Sequence, residues 1–123
     1  MIKKRILVVD DDPTFRTLLQ VLLEENGHIG EMAENGREAL ARLAQTDYDA
    51  VLLDYMMPGA DGLTVLQYIR ERHPSMPIVM ITGHTSSELA AQVLAAGARA
   101  CLFKPFDCQE FEQVLTSCVG TAA

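Results

Sequence analysis

Val51-Leu52-Leu53-Asp54-Tyr55-Met56-Met57-Pro58-Gly59-Ala60-Asp61-Gly62 is the stretch that decides the fold. A short apolar run stops at a carboxylate, Pro58-Gly59 turns the chain, and Asp61-Gly62 opens a helix. The pattern is that of a buried strand delivering an acid to the rim of a sheet. Three other apolar runs end the same way. Ile6-Leu7-Val8-Val9 runs into Asp10-Asp11-Asp12, Ile78-Val79-Met80-Ile81 into Thr82, and Leu102-Phe103 into Lys104. Continuous apolar runs of this length suit parallel strands covered on both faces.

Outward from these runs, helical patterns fill the gaps. Asp12-Pro13 starts the first helix, with Asp12 as cap and Pro13 at the first helical position. Its expected buried stripe is Phe15, Leu18, Leu19 and Leu22, and Gly27 stops it. His28 to Ala33 is a more polar strand that suits a sheet edge. Asn35-Gly36 caps a second helix with Ala39, Leu40 and Leu43 inward. Asp49 to Leu53 is the third strand. Asp61 to Arg72 is a helix with Leu63, Leu66 and Ile69 inward, ended by His73-Pro74. Pro77 to Ile81 is the fourth strand. Thr85-Ser86-Ser87-Glu88 has the form of a capping box before Leu89, Val93 and Leu94, and Gly97 ends that helix. Arg99 to Phe103 is the last strand. Asp107 and Glu110 start the last helix, whose inner face is Phe111, Val114, Leu115 and Cys118.

Five strands alternating with five helices on short connections predict a parallel sheet with helices on both faces. The expected architecture is α/β, a flavodoxin-like doubly wound (βα)5 sheet in the order 2-1-3-4-5, with the polar second strand at an edge. Ligands of such sheets sit at the carboxyl ends of the strands, at the switch point between strands 1 and 3. Here those strands end in Asp10-Asp11 and Asp54.

A chain of 123 residues, 49% hydrophobic and 22% charged, is long enough for one core and reads as a single domain over 1–123. Its core is expected at about residues 4–119, and residues 120–123 read as a loose tail. The formal net charge of −7 argues against direct nucleic-acid binding, which needs a basic face. Three cysteines, Cys101, Cys108 and Cys118, are an odd number without paired or zinc spacing, which fits a reducing cytoplasm. No apolar run approaches the ~18 residues of a membrane span. Met1 to Arg5 resembles a basic signal region, but acid follows Val9 too soon for an apolar signal core.

Carboxylates converging on one rim repel each other, and two unit charges ~4 Å apart cost about 4 kcal/mol at an effective dielectric near 20. A divalent cation removes that cost, and an all-oxygen donor set favours Mg²⁺ over zinc. An aspartate beside Mg²⁺ can act as a nucleophile toward a phosphoryl group. The cation and Lys104 would neutralise charge on the transferring oxygens, with Thr82 offering a hydroxyl hydrogen bond.

At these residues the chain resembles the receiver domains of two-component response regulators. The resemblance rests on Leu7-Val8-Val9-Asp10-Asp11-Asp12-Pro13, the Leu53 to Gly62 stretch, Thr82-Gly83 and Lys104-Pro105-Phe106. It covers the chain from about Lys4 to Val119. It implies that Asp54 accepts a phosphoryl group from a sensor histidine kinase or a phosphotransfer protein. Asp11, Asp54 and the backbone carbonyl of Met56 would ligate Mg²⁺, and Asp10 would hold the ion's water shell. Thr82 would move to bond the phosphoryl group and Lys104 would pair with it. It also implies a cis Lys104-Pro105 bond and an output surface on the fourth helix, fifth strand and fifth helix. One position departs from the family pattern: Cys101 stands where receivers usually carry a switch Tyr or Phe.

Each feature also has a plain structural reading. Asp12 is better taken as a helix cap, and His28, His73 and His84 as surface or loop residues. Cys101 reads as a small core residue, and Cys108 and Cys118 as helix packing or surface thiols. Asp10-Asp11-Asp12-Pro13-Thr14 also fits the D-x-D-x-T pattern of haloacid-dehalogenase-like phosphatases, with Asp10 as nucleophile. That reading needs a late acidic pair, and after Lys104 the chain offers only Asp107 and isolated glutamates. A flavin or nucleotide module lacks its glycine-rich phosphate cradle. A degenerate scaffold receiver would not keep Asp10, Asp11, Asp54, Thr82 and Lys104 together. The expected function is therefore a phosphorylation-controlled switch, not an enzyme.

Overall fold

The computed structural model describes residues 3–57, 61–83 and 86–120. The turn expected at Pro58-Gly59, together with Ala60, His84, Thr85, Met1-Ile2 and tail residues 121–123, lies outside them. The elements run β1 (Arg5–Val9), α1 (Pro13–Glu25), β2 (Ile29–Ala33), α2 (Gly36–Gln45), β3 (Ala50–Asp54), α3 (Gly62–Arg72), β4 (Ile78–Thr82), α4 (Ser87–Ala95), β5 (Ala100–Phe103) and α5 (Cys108–Val119). All pairings are parallel and the sheet order is β2-β1-β3-β4-β5, as expected. Two strands end one residue later than the sequence suggests. Asp54 and Thr82 are the last ladder residues of β3 and β4, so the sheet itself holds their backbones.

Alternation along the strands splits the core into two layers. Leu7, Val9, Val51, Leu53, Ile78 and Met80 face α2, α3 and α4, while Ile6, Val8, Leu52, Val79, Ile81 and Leu102 face α1 and α5. The helix stripes are narrower than the sequence pattern suggests. Leu18 and Leu63 were expected inward, and Leu94 was grouped with Leu89 and Val93. Leu18 is 46% and Leu94 47% exposed, and Leu63 is half-buried. Each stands ~100° around its helix from the true stripe. The stripes are Leu19, Leu22 and Leu23 on α1, Val65, Leu66 and Ile69 on α3, and Leu89 and Val93 on α4.

Helix starts follow their caps. Asp12, Asn35, Asp61, Ser86 and Asp107 each accept a backbone N–H of the first turn, and Asp107 forms a full capping box with Glu110. On α4 the cap is Ser86, one residue after the start of the expected box. Gly27 and Gly97 close α1 and α4 at φ values of 82° and 112°, where a side chain would strain the backbone. His28 is not a surface residue. It is buried, and its Nδ1 accepts the Lys4 backbone N–H at 3.1 Å, so the start of β1 is tied to the loop before β2. Burial, with Lys4 nearby, pushes its pKa down and keeps the ring neutral.

A second tie lies at the end of the sheet away from Asp54. Arg70 on α3 donates to the carbonyls of Gly97 at 2.6 Å, Pro74 at 2.7 Å and His73 at 3.2 Å. One planar guanidinium thus joins the exit of α3 to the exit of α4.

Candidate functional site

Parallel β1 and β3 are neighbours, so their carboxyl ends bring Asp10-Asp11 beside Asp54. Asp10, Asp11 and Asp54 each place a carboxylate oxygen so that all three lie within 4.8 Å of one another. Asp10 and Asp54 are buried and Asp11 is exposed. With Asp12, Met56, Gly83 and Lys104 they line a cleft of about 440 Å³. The backbone holds them closely. Asp10 Oδ1 accepts the Asp12 N–H at 2.8 Å, and the Asp10 carbonyl accepts from Arg16 at 2.7 Å. Asp54 Oδ1 accepts the Met56 N–H at 3.3 Å.

Lys104 enters from the other side. Its backbone N–H donates to the Thr82 carbonyl at 2.8 Å, which extends the β4–β5 ladder by one bond. Its Nζ stands 3.6 Å from Asp10 Oδ2 and 3.8 Å from Asp54 Oδ1, close enough for attraction but outside hydrogen-bond reach. The Lys104-Pro105 peptide is cis, as the resemblance implies.

The electrostatics follow from burial. Desolvation raises the Asp54 pKa to about 6; the Asp10 charge adds to the rise, and Lys104 and the Met56 N–H oppose it. Desolvation also raises the Asp10 pKa, against the Asp12 N–H and Lys104. Asp10 Oδ2 is buried without a hydrogen-bond partner. A buried oxygen of this kind, in a cluster of hard oxygen donors, fits a divalent cation such as Mg²⁺. Among the described residues the cluster holds carboxylates alone, a donor set that suits Mg²⁺ better than zinc.

The structure brings five of the six expected residues to one cleft: Asp10, Asp11, Asp54, Met56 and Lys104. Thr82 is set back. It is fully buried, and its neighbour Gly83 forms the cleft wall. Three residues that hold the site escaped sequence reading. Arg16 drew no reading, since nothing in the pattern reveals its reach to the Asp10 carbonyl. Phe15 looked like core, but its ring lies under Lys104 with the ammonium 3.9 Å from its centroid. Gly62 looked like a helix-start residue. A Cβ there would stand 2.6 Å from Tyr55 Cα and 2.8 Å from the Asp54 carbonyl oxygen, so α3 starts directly against the backbone of the site.

Comparison with known proteins gives the family. Residues 6–116 match the family model of the response regulator receiver domain. The chain belongs to that family, whose members act as phosphorylation-controlled signalling switches in two-component systems. It is 37% identical over 117 residues to the response regulator protein PilR of Pseudomonas aeruginosa, which covers 95% of this chain and 26% of that protein. It is 42% identical over 106 residues to the transcriptional regulatory protein ResD of Bacillus subtilis, covering 86% of this chain and 44% of that protein. The chain thus spans less than half the length of these relatives. Among solved structures, the receiver domain of NtrX from Brucella abortus superposes with a TM-score of 0.88 at 34% identity, covering 93% of this chain and 97% of that one. Receiver domains bind Mg²⁺ at an acidic Asp cluster, take their phosphoryl group from histidine kinases, and are in general not enzymes. Membership leaves the phosphatase reading of Asp10 without support. Among the described residues, no helix is long and apolar enough to cross a membrane.

Proposed function

We propose that Asp54 is the phosphoacceptor of this chain and that Asp10, Asp11, Thr82 and Lys104 serve it. The observation that carries this reading is the cleft in which Asp54 meets two further carboxylates and one lysine. Asp11, Asp54 and the Met56 carbonyl would hold Mg²⁺, and Asp10 would order its water shell. When bound, the ion neutralises charge on the phosphoryl oxygens.

The rest is the work of side chains. At neutral pH Asp54, with a pKa of about 6, is mostly ionised and nucleophilic. Its carboxylate oxygen forms a bond to phosphorus as the P–N bond to a donor imidazole breaks, and the leaving nitrogen then takes a proton from water. Lys104 pairs with the transferred group, and Thr82 moves from its buried position to donate its hydroxyl. The donor is a sensor histidine kinase or a phosphotransfer protein. The domain also promotes its own dephosphorylation by water in the same cleft.

Phosphorylation adds negative charge at one rim and biases two packings of the α4–β5–α5 face, which regulates an output partner or a further domain. The chain acts as one receiver unit over 1–123, with its core at about 4–119, and works in the cytoplasm. The acidic composition supports a protein target for that face in place of nucleic acid.

Mass spectrometry after incubation with Mg²⁺ and acetyl phosphate tests the assignment. The modified peptide should contain Asp54, and Asp54→Asn should stay unmodified. A phosphoryl group retained in Asp54→Asn sinks the proposal, and one mapped to Asp10 restores the phosphatase reading.

A further inference from the structure

Lys104 has two competing neighbours. On one side are the Asp10 and Asp54 carboxylates, at 3.6 and 3.8 Å. On the other is the Phe15 ring, with the ammonium 3.9 Å from its centroid. A cation held over a ring face is attracted by the ring's quadrupole, so Phe15 draws the ammonium back from the carboxylates. The ring is itself supported. Phe15 meets Phe106 edge-on at 5.9 Å between centroids, and Phe106 stacks on Phe111 at 5.9 Å with an interplanar angle of 19°. Both are favoured aromatic geometries. Phe111 is buried on the inner face of α5. Three rings therefore run from the lysine of the site to the core face of α5.

The Cys101 position on β5 offers no comparable path. Cys101 packs with the opposite layer, against the cluster that includes α3 and α4. Its thiol carries no ring to turn inward or outward. The ring in contact with Lys104, Phe15, lies with Phe106 and Phe111 on the α1 and α5 side of the sheet.

We propose that Phe15 is a positioning residue for Lys104, and that the Phe15–Phe106–Phe111 ladder reports the position of the Lys104 ammonium to α5. The inference rests on the assignment of Asp54 as phosphoacceptor. A phosphoryl group on Asp54 adds anionic oxygens on the carboxylate side, and the ammonium leaves the ring to meet them. Phe15 then loses its cation, and the ladder repacks against α5.

The test uses the whole chain with Mg²⁺ and beryllofluoride as a probe of the acyl phosphate. The four phenylalanines are few enough for selective labelling. In the parent without the probe, the Lys104 Hε protons should show the upfield shift of groups above an aromatic face. With the probe, that shift should be lost, and the rings of Phe106 and Phe111 and the α5 amides should move. Phe15→Leu should lose the upfield Lys104 signal and the α5 response at saturating probe, while bound beryllofluoride remains visible by fluorine NMR. Phe15→Tyr, which keeps the ring, should restore both. Phe106→Leu, which breaks the ladder beyond the lysine, should keep the upfield signal and lose the α5 response. A full α5 response in Phe15→Leu or Phe106→Leu overturns the inference, as does a bound parent in which the ladder is silent. Failure of beryllofluoride to bind the parent at all overturns the Asp54 assignment and this inference with it.

Discussion

Asp54 is the residue on which burial and chemistry pull in opposite directions. The fold raises its pKa from 3.8 to about 6, chiefly by desolvation. The folded state therefore binds this proton more tightly than the unfolded state. Below pH 3.8 both states are protonated and the carboxyl costs the fold nothing. As pH rises from 3.8 to about 6, stability falls, and above that range the metal-free protein carries a penalty of roughly 2–3 kcal/mol. Asp54→Asn should remove it. In EDTA at pH 8 the variant should be more stable than the parent by roughly that amount, and the gap should close toward pH 4. Urea unfolding of both proteins across this range is the measurement, and a constant gap would rule out desolvation of the carboxylate as the cause. Cys101 allows a different prediction. It is half-buried, and burial pushes its thiol pKa up, so it is an inert packing group. Cys101→Ala should cost at most about 1–2 kcal/mol. The α4 amides should respond to beryllofluoride as they do in the parent, and their silence would make Cys101 part of the relay. The acids and Lys104 were legible in the sequence because each ends an apolar run. The contacts of Phe15 and Arg16 were not, since a helical pattern shows which residues face inward but not what they meet there.

At the scale of elements, the strands were the clearest part of the sequence, because buried parallel strands are continuous apolar runs with nothing to confuse them. The helices were clear in place but blurred in orientation. Alternative apolar stripes such as Leu18 and Leu94 fit the same spacing, and only the sheet behind a helix selects between them. The edge position of β2 was legible from its polarity, whereas the burial of His28 just before it was not. That burial depends on a backbone N–H from Lys4, far away in sequence. The junction of β3 and α3 gives the sharpest test at this scale. Gly62 N–H donates to the Tyr55 carbonyl at 2.8 Å, and a Cβ at Gly62 would meet backbone that cannot swing aside. Gly62→Ala should therefore destabilise the protein by about 1–3 kcal/mol, as overpacking does. It should also slow phosphorylation, because α3 can move away only by dragging the backbone of Asp54 and Tyr55. A lower urea midpoint with an unchanged rate of modification by acetyl phosphate would separate α3 from the site and refute the argument.

For the whole molecule, the acidic cleft and the fold are one energetic system. A cation that binds only the folded state stabilises it by mass action, about 2.7 kcal/mol at a hundredfold excess over its dissociation constant. Mg²⁺ should accordingly raise the melting temperature at neutral pH. Asp11→Ala should abolish most of that rise while leaving the metal-free protein at least as stable as the parent, since a repelling carboxylate is gone. Calorimetric titration and thermal melts together check it, and an unchanged Mg²⁺ affinity would rule out Asp11 as a ligand. The Arg70 tie sets the mechanics of any larger rearrangement. It holds the Gly97 carbonyl, just beyond the last turn of α4, to the exit of α3. The other end of α4, at Ser87, faces the level of the sheet at which Thr82 and Gly83 lie. The helix is thus a lever with its pivot at the foot of the molecule. A small inward step at Thr82 should appear as a swing of the free end, with little sliding of the helix as a whole. Under beryllofluoride, hydrogen exchange should change at residues 87–91 and stay slow at 95–98. In Arg70→Met the pivot is released, and the change should spread along the full length of α4.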